Sequence, residues 1–309
     1  MWAWPLVNVV ARVHHAAVLA ATVADGQRVR GLITARFIGP RGRRGTTPVA
    51  GIVDVDCLLS ASMPGLIYEE GQDPSAHGEA LAALRIALRH RYGRRVAAVM
   101  LRQVSAETLP AILRWPAIVR EGGPIAVFRN TFTDFDGYLG SLSSSRRKSL
   151  RRLVRQLETD PDLTIASTAR GEVVTPPLRV SDIQAQHGRT VDRHHRRWWL
   201  RKRIVAAEVA RAQLDHPGVD WLAYHNRAGT LLGFGTMWNH PELPYAGLGG
   251  GLDLAAGGRK DLWFHRNMRY VRWCIESGRS GFVSGQGTID AKLSLGYELR
   301  RQWAVLVPQ

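Results

Sequence analysis

The chain has 309 residues, enough for two compact domains or one large one with a proper core. Apolar residues make up 45% and charged residues 22%, a globular composition that excludes general disorder. The 42 Lys and Arg outnumber the 26 Asp and Glu, and a net charge of +16 asks for an anionic partner: nucleic acid, anionic lipid or a phosphorylated small molecule. A basic protein without such a partner is the alternative. Cys57 and Cys274 are the only cysteines, so neither a disulfide framework nor a zinc site is expected.

The first residues, MWAWPLVNVVARVHH, are apolar but lack a basic leader, and Arg12, His14 and His15 interrupt them. Neither a signal peptide nor a membrane span is expected, and a cytoplasmic location is. Residues 17–38 read as a hairpin turning at Asp25-Gly26, and 49–59 return to strand character after a Gly/Arg-rich loop. Between His77 and Tyr92, Leu81, Leu84, Ala87 and Leu88 predict one face of an amphipathic helix. Strands at 96–104 and 124–130 bracket a short helix within 106–115.

Thr133 or Asp134 then offers an N-cap, followed by a helical turn or two. Ser143 or Ser144 caps a second helix that ends near Glu158 and places Leu150, Leu153, Val154 and Leu157 on one stripe. A strand follows, and residues 179–214 are mostly helical, with Ser181 a candidate cap. Residues 220–240 form a hairpin turning near Arg227–Gly229, and 244–253 are a Gly-rich strand. A helix over 261–278 stops at Gly278, and 281–287 are a short strand entering a Gly loop. This order predicts an α+β fold of mixed, mainly antiparallel sheets flanked by helices. The first half shows a looser version of it, so two similar domains are expected, 1–132 and 133–309.

Two segments concentrate the charge. Arg146, Arg147, Lys148, Arg151, Arg152 and Arg155 lie on the helix capped by Ser143, with no acid before Glu158. Residues 189–203 carry seven basic groups and one acid. Exposed like charges at i,i+4, such as Arg147 and Arg151, repel each other, and phosphate relieves that repulsion. Phosphate contacts are therefore assigned to the six groups of the first segment and to Arg196, Arg197 and Arg201 of the second. Trp198 beside them could stack on a base or terminal adenosine. His194 and His195 lack further ligands at metal spacing, so no metal is expected.

DFDGYLGSLSSSRRKSLRRLVRQLE resembles the opening of the acetyltransferase-like domain in Fem-type peptidyltransferases, a branch of the GNAT superfamily. LLGFGTMWNH, LWFHRNMRYVRWCIESG and GQGTIDAKLSLGYEL resemble the end of such a domain. The resemblance implies two tandem GNAT-like domains that join an acyl or aminoacyl group to an amine. Some members of the branch use aminoacyl-tRNA and others are thought to use acyl-CoA. The resemblance also matches Lys292 to a lysine linked to the aminoacyl ester site, where a cation would stabilise the tetrahedral oxyanion. Asp290 could take the proton of the attacking amine. Arg259 and Lys260, at a helix start, suit a donor phosphate or an acceptor carboxylate. His265 is a further donor or acceptor contact.

An ordinary CoA loop is not evident: Gly257 and Gly258 occur at the matching place with the wrong spacing. The expectation is therefore aminoacyl transfer from aminoacyl-tRNA, as co-substrate, to an amine on a small molecule or peptide, with no bound cofactor. Acyl-CoA-dependent N-acylation and a non-catalytic nucleic-acid-binding protein of the same fold are the alternatives.

Overall fold

The computed structural model describes residues 4–13, 17–40, 48–60, 62–68, 73–194, 205–241 and 244–309. The chain folds as two compact units, residues 1–125 with 299–309 and residues 126–298. In chain order the first stretch contains α1 (Trp4–Val13), β1 (Ala17–Asp25), β2 (Arg28–Ile38), β3 (Gly51–Val55), β4 (Leu66–Tyr68), α2 (Ser75–Tyr92), β5 (Val96–Val104), α3 (Leu109–Ile112) and β6 (Ile118–Glu121). Then come β7 (Ile125–Arg129), α4 (Phe135–Ser141), α5 (Ser144–Glu158), β8 (Leu163–Ser167), α6 (Val180–His194) and α7 (Ala207–Leu214). The hairpin β9 (Val219–Asn226) and β10 (Leu231–Trp238) leads to β11 (Tyr245–Gly251), α8 (Leu262–Glu276), β12 (Gly281–Gly285), α9 (Ile289–Leu293), β13 (Glu298–Arg300) and β14 (Trp303–Pro308). The α+β class expected from the sequence is the class observed.

The unit boundary differs from the one read from composition. β7 lies between β13 and β12 in the second sheet, whose order is β13-β7-β12-β11-β10-β9-β8. β14 returns to the first sheet, pairing antiparallel with both β5 and β6. The apolar run of 303–307 announces a strand, but nothing local announces that its partners lie some two hundred residues back.

In the first unit alternate residues Ile33, Ala35 and Phe37 of β2, Val53 and Val55 of β3, and Val99 and Leu101 of β5 form one buried surface. Leu81, Leu84 and Leu88 of α2 cover it. Ala80 completes that stripe, whereas Ala87, at the edge of the face, is exposed. The other face carries charge. Arg102 of β5 donates to Asp54 of β3 at 2.6 Å, and Arg36 of β2 pairs with Asp56. Asp54 is fully buried. The Arg102–Asp54 pair crosses the parallel pair β3–β5, which runs from Gly51–Val96 to Val55–Leu101 with one register shift after Gly51, and the Arg36 pair ties β2 to the end of β3.

In the second unit α5 begins at Ser143, whose hydroxyl accepts from the Arg146 amide at 3.4 Å, and Asp134 caps α4 through the Gly137 amide at 2.7 Å. Ser181, expected to cap α6, lies inside its first turn instead. Leu150 and Leu157 of α5 are buried, with Leu153 and Val154 packed beside them. Together with α8 they cover a core of Phe128, Tyr138, Phe282 and Tyr297, whose rings meet in tilted and edge-on pairs 5.4–5.7 Å apart. α6 packs on the opposite face: a side chain at Gly249 would strike Arg266 of α8, and one at the next residue, Gly250, would strike Gln186 of α6.

The charged clasp of the first unit is testable. Asp54→Ala leaves Arg102 and Arg36 short of a buried partner and is expected to cost about 2–3 kcal/mol in chemical denaturation. A loss below about half a kcal/mol would show that the clasp is not structural.

Candidate functional site

The two sheets treat their central parallel pair differently. In the first unit every residue of β3 has a partner on β5, with one register shift after Gly51. In the second unit β11 and β12 share one register pair, Tyr245–Val283, supported by the Val283 amide on the Pro244 carbonyl at 2.8 Å. Past that pair the strands separate into a wedge. β11 runs on to Gly251, while β12 ends at Gly285, whose φ of +77° turns the chain toward α9.

Both helices that leave the wedge start from a strained residue. Asp261, before α8, has φ +67°, and Thr288, before α9, has φ +54°. Neither side chain caps its helix. For β-branched Thr288 the left-handed region costs on the order of 1–3 kcal/mol, and strain of this size gathers at functional sites.

On the α8 face Arg266 lies across two glycines. A Cβ at Gly235 of β10 would strike the Arg266 side chain and the Tyr270 hydroxyl, and one at Gly249 of β11 would strike the guanidinium. The glycines of β11 are thus set by packing: Gly247 faces the Thr236 hydroxyl at 2.6 Å from an added Cβ, and Gly250 faces Phe234. Arg266 Nη1 donates to the Phe234 carbonyl at 2.8 Å. Nothing in LWFHRNMR marks Arg266 as lying over glycines 17 and 31 residues earlier in the chain, so the sequence alone does not single it out.

Lys292 is 4% exposed, and its Nζ donates to the carbonyls of Ser284 at 2.5 Å and Gly285 at 3.1 Å. The ammonium thus sits against the partial negative charge of the carbonyl oxygens at the end of β12. Asp290 is exposed on the first turn of α9. Arg259 is engaged by Asp160, and Lys260 is exposed beside it. The amides of Gly257 and Gly258 donate to the carbonyls of Leu254 and Asp253 within their own turn. These two amides are therefore spent on the turn.

His265 lies inside the packing between α8 and its neighbours. It is fully buried, with Nδ1 3.0 Å from the Tyr224 hydroxyl and Nε2 3.6 Å from Glu158. Glu158, the last residue of α5, also approaches Arg269 at 3.5 Å and Arg272 at 3.6 Å, tying α5 to α8. Burial lowers the His265 pKa to about 4, Glu158 opposing the shift and Arg269 adding to it.

The basic face of α5 is partly answered by the fold. Arg151 pairs with Asp136 of α4 at 2.9 Å, and Arg147 donates to the Gly140 carbonyl at 3.0 Å. Arg146 donates to Ser294 at 2.7 Å and lies 5.4 Å over the Phe264 ring. The repulsion between Arg147 and Arg151 is thus relieved within the protein, by an acid one helix away that the local sequence does not show. Lys148, Arg152 and Arg155 remain exposed at i, i+4 and i+7, and no ion pair engages them among the described residues. Arg196, Arg197, Trp198 and Arg201 lie outside the described residues. No cluster of metal-ligating side chains occurs among the described residues, and none of their helices is long and apolar enough to cross a membrane.

No protein-family model matches the sequence, and no curated protein matches it. Solved structures do match. FemX superposes with a TM-score of 0.64 over 96% of this chain and 89% of that one, at 10% identity. L-PGS from Bacillus licheniformis gives 0.58 over 97% and 86%, at 13% identity. The C-terminal domain (DUF2156) assigned to a lysylphosphatidylglycerol synthetase of Agrobacterium fabrum gives 0.54 over 97% and 86%, at 14% identity. The chain has the Fem-type, GNAT-like fold. That is what the resemblance in its sequence implied, and at these identities the fold is what is shared.

The buried histidine carries a pH signature. Its folded pKa lies below the ordinary value of 6.5, so the unfolded chain binds the proton first as pH falls. Stability from this group is complete above about 6.5 and drains away toward about 4. Urea unfolding across that window is expected to show a steeper decline for the wild type than for His265→Gln; equal slopes would place His265 in water.

Proposed function

We propose that the protein transfers an aminoacyl group from aminoacyl-tRNA to an amine, with the reaction centred in the β11–β12 wedge. The observation that carries this reading is the contrast between the two parallel pairs: β3 is paired with β5 throughout and clasped to it by Arg102–Asp54, while β11–β12 opens after a single register pair. An unpaired gap between strands lets an extended acyl ester lie against backbone groups that a paired sheet would have used up. The Fem-type resemblance and the likeness to FemX and L-PGS support the same chemistry.

In the reaction the amine nitrogen attacks the ester carbonyl and a C–N bond forms. The tetrahedral intermediate carries its negative charge on the former carbonyl oxygen, beside the end of β12 where the Lys292 ammonium sits. Collapse breaks the bond to the ribose oxygen, which leaves with the proton lost by the amine. Asp290 on α9 is the base that relays that proton. No enzyme nucleophile is required, in line with the raised pKa values of both buried cysteines, about 11 for Cys57 and about 12 for Cys274, each caused mainly by burial.

tRNA is favoured over CoA for two reasons. The turn glycines spend their amides internally. Lys148, Arg152 and Arg155 form an exposed stripe one phosphate-bearing backbone could follow. These three are the proposed RNA contacts on α5; Arg146, Arg147 and Arg151 hold the helix to its neighbours. Such a reaction belongs in the cytoplasm, where charged tRNA is found.

Filter binding of charged tRNA across a salt series tests this. Each phosphate contact adds about 0.7–0.9 to the slope of log K against log salt, so neutralising Lys148, Arg152 and Arg155 together to Gln is expected to flatten the slope by about 2–3. Absence of tRNA retention by the wild type at low salt would overturn the tRNA reading.

A further inference from the structure

Arg266 is the cation of α8 that the fold does not neutralise. Its neighbours on the helix, Arg269 and Arg272, reach Glu158, and Arg259 in the preceding turn is held by Asp160. Among the described residues Arg266 has no carboxylate partner; one hydrogen bond, to the Phe234 carbonyl, engages its fork of five N–H donors. It is half-buried, yet none of its unengaged nitrogens is sealed from solvent. It is also the positive charge set among three buried phenols, Tyr224, Tyr270 and Tyr297.

Seating this side chain is costly. Gly235 and Gly249 each sit mid-strand, where glycine weakens a sheet; a Cβ at Gly235 would collide with the Arg266 stem and the Tyr270 hydroxyl, and one at Gly249 would displace the guanidinium from its present seat. A cation drawn partly out of water without a counter-charge adds a further penalty. The sheet tolerates both at the edge of the wedge, beside β11. A bound anion would repay both, and an arginine fork fits the paired oxygens of a carboxylate or phosphate.

We propose that Arg266 is the anion-binding residue of the wedge, taking the paired oxygens of a carboxylate or phosphate on the substrate that enters beside β11. The proposal rests on the wedge being the substrate site of the acyl-transfer reading, and adds to it a residue that would decide which substrates are held there. An acid at this point also explains why the fold supplies none of its own: a built-in carboxylate would occupy the fork and exclude the ligand.

The test uses the arginine Nε–Hε NMR signals of the full-length protein, with the Arg266 signal identified by its loss in Arg266→Lys. Titration with inorganic phosphate and, separately, with acetate at high salt is expected to move the Arg266 signal saturably while that of exposed Arg152 stays in place. Saturation by either ion upholds the proposal, phosphate alone pointing to a phosphate-bearing substrate and acetate alone to a carboxylate. In a transfer assay Arg266→Lys keeps the charge but loses the fork, and is expected to raise KM about tenfold with kcat little changed. A signal that neither ion moves, or that moves only in parallel with Arg152, overturns the proposal. Saturable binding at Arg266 in a protein without transfer activity upholds it and overturns the acyl-transfer reading instead.

Discussion

The structure of the second unit depends on two strands that do not pair. β11 and β12 meet at Tyr245–Val283 and part, leaving backbone groups on both strands without ladder partners. Unpaired backbone in a sheet is unfavourable unless something else satisfies it. The surroundings are built to keep the gap open. Gly285 turns β12 away, Lys292 binds the carbonyls at its end, and left-handed Asp261 and Thr288 start the helices on either lip. In the first unit the same parallel pair is closed along all of β3 and fastened by Asp54 and Arg102, while Arg36 and Asp56 tie β2 to the end of β3. One chain thus contains a closed and an open version of one motif, and the open version is where a substrate can bind.

The helices bordering the gap are held by charge as much as by packing. Glu158 closes α5 and gathers His265, Arg269 and Arg272 of α8, so the helix that begins at the wedge is fixed to the helix that bears the basic stripe. Arg266, on the sheet side of α8, is left out of that network and lies over Gly235 and Gly249. The division is physical: arginines facing α5 meet an acid, and the arginine facing the sheet meets none.

Much of this could be read from the sequence. A cap at Ser143 or Ser144 and the Leu150–Leu157 stripe announced α5, a turn near Arg227–Gly229 announced the β9–β10 hairpin, and the glycines of 247–251 marked β11 as a Gly-rich strand. These are local signals with a period or a turn behind them. What could not be read is non-local. The return of β14 to the first sheet, the pairing of Arg151 with Asp136, and the burial of His265 each depend on which surfaces meet. Arg266 is the sharpest case. Its meaning comes from two absent Cβ atoms on separate strands and from an absent acid, and neither absence has a sequence period.

The claim that the wedge is the reaction site is tested most directly by transfer of a labelled amino acid from charged tRNA to hydroxylamine, measured above the uncatalysed rate. Gly251, the last residue of β11, has ordinary space for a Cβ atom, the nearest neighbour being the Leu232 carbonyl at 3.6 Å. Gly251→Trp is therefore expected to fold and to retain tRNA while losing transfer, and Lys292→Met to lose about a hundredfold. Wild-type transfer rates in both variants would contradict the account.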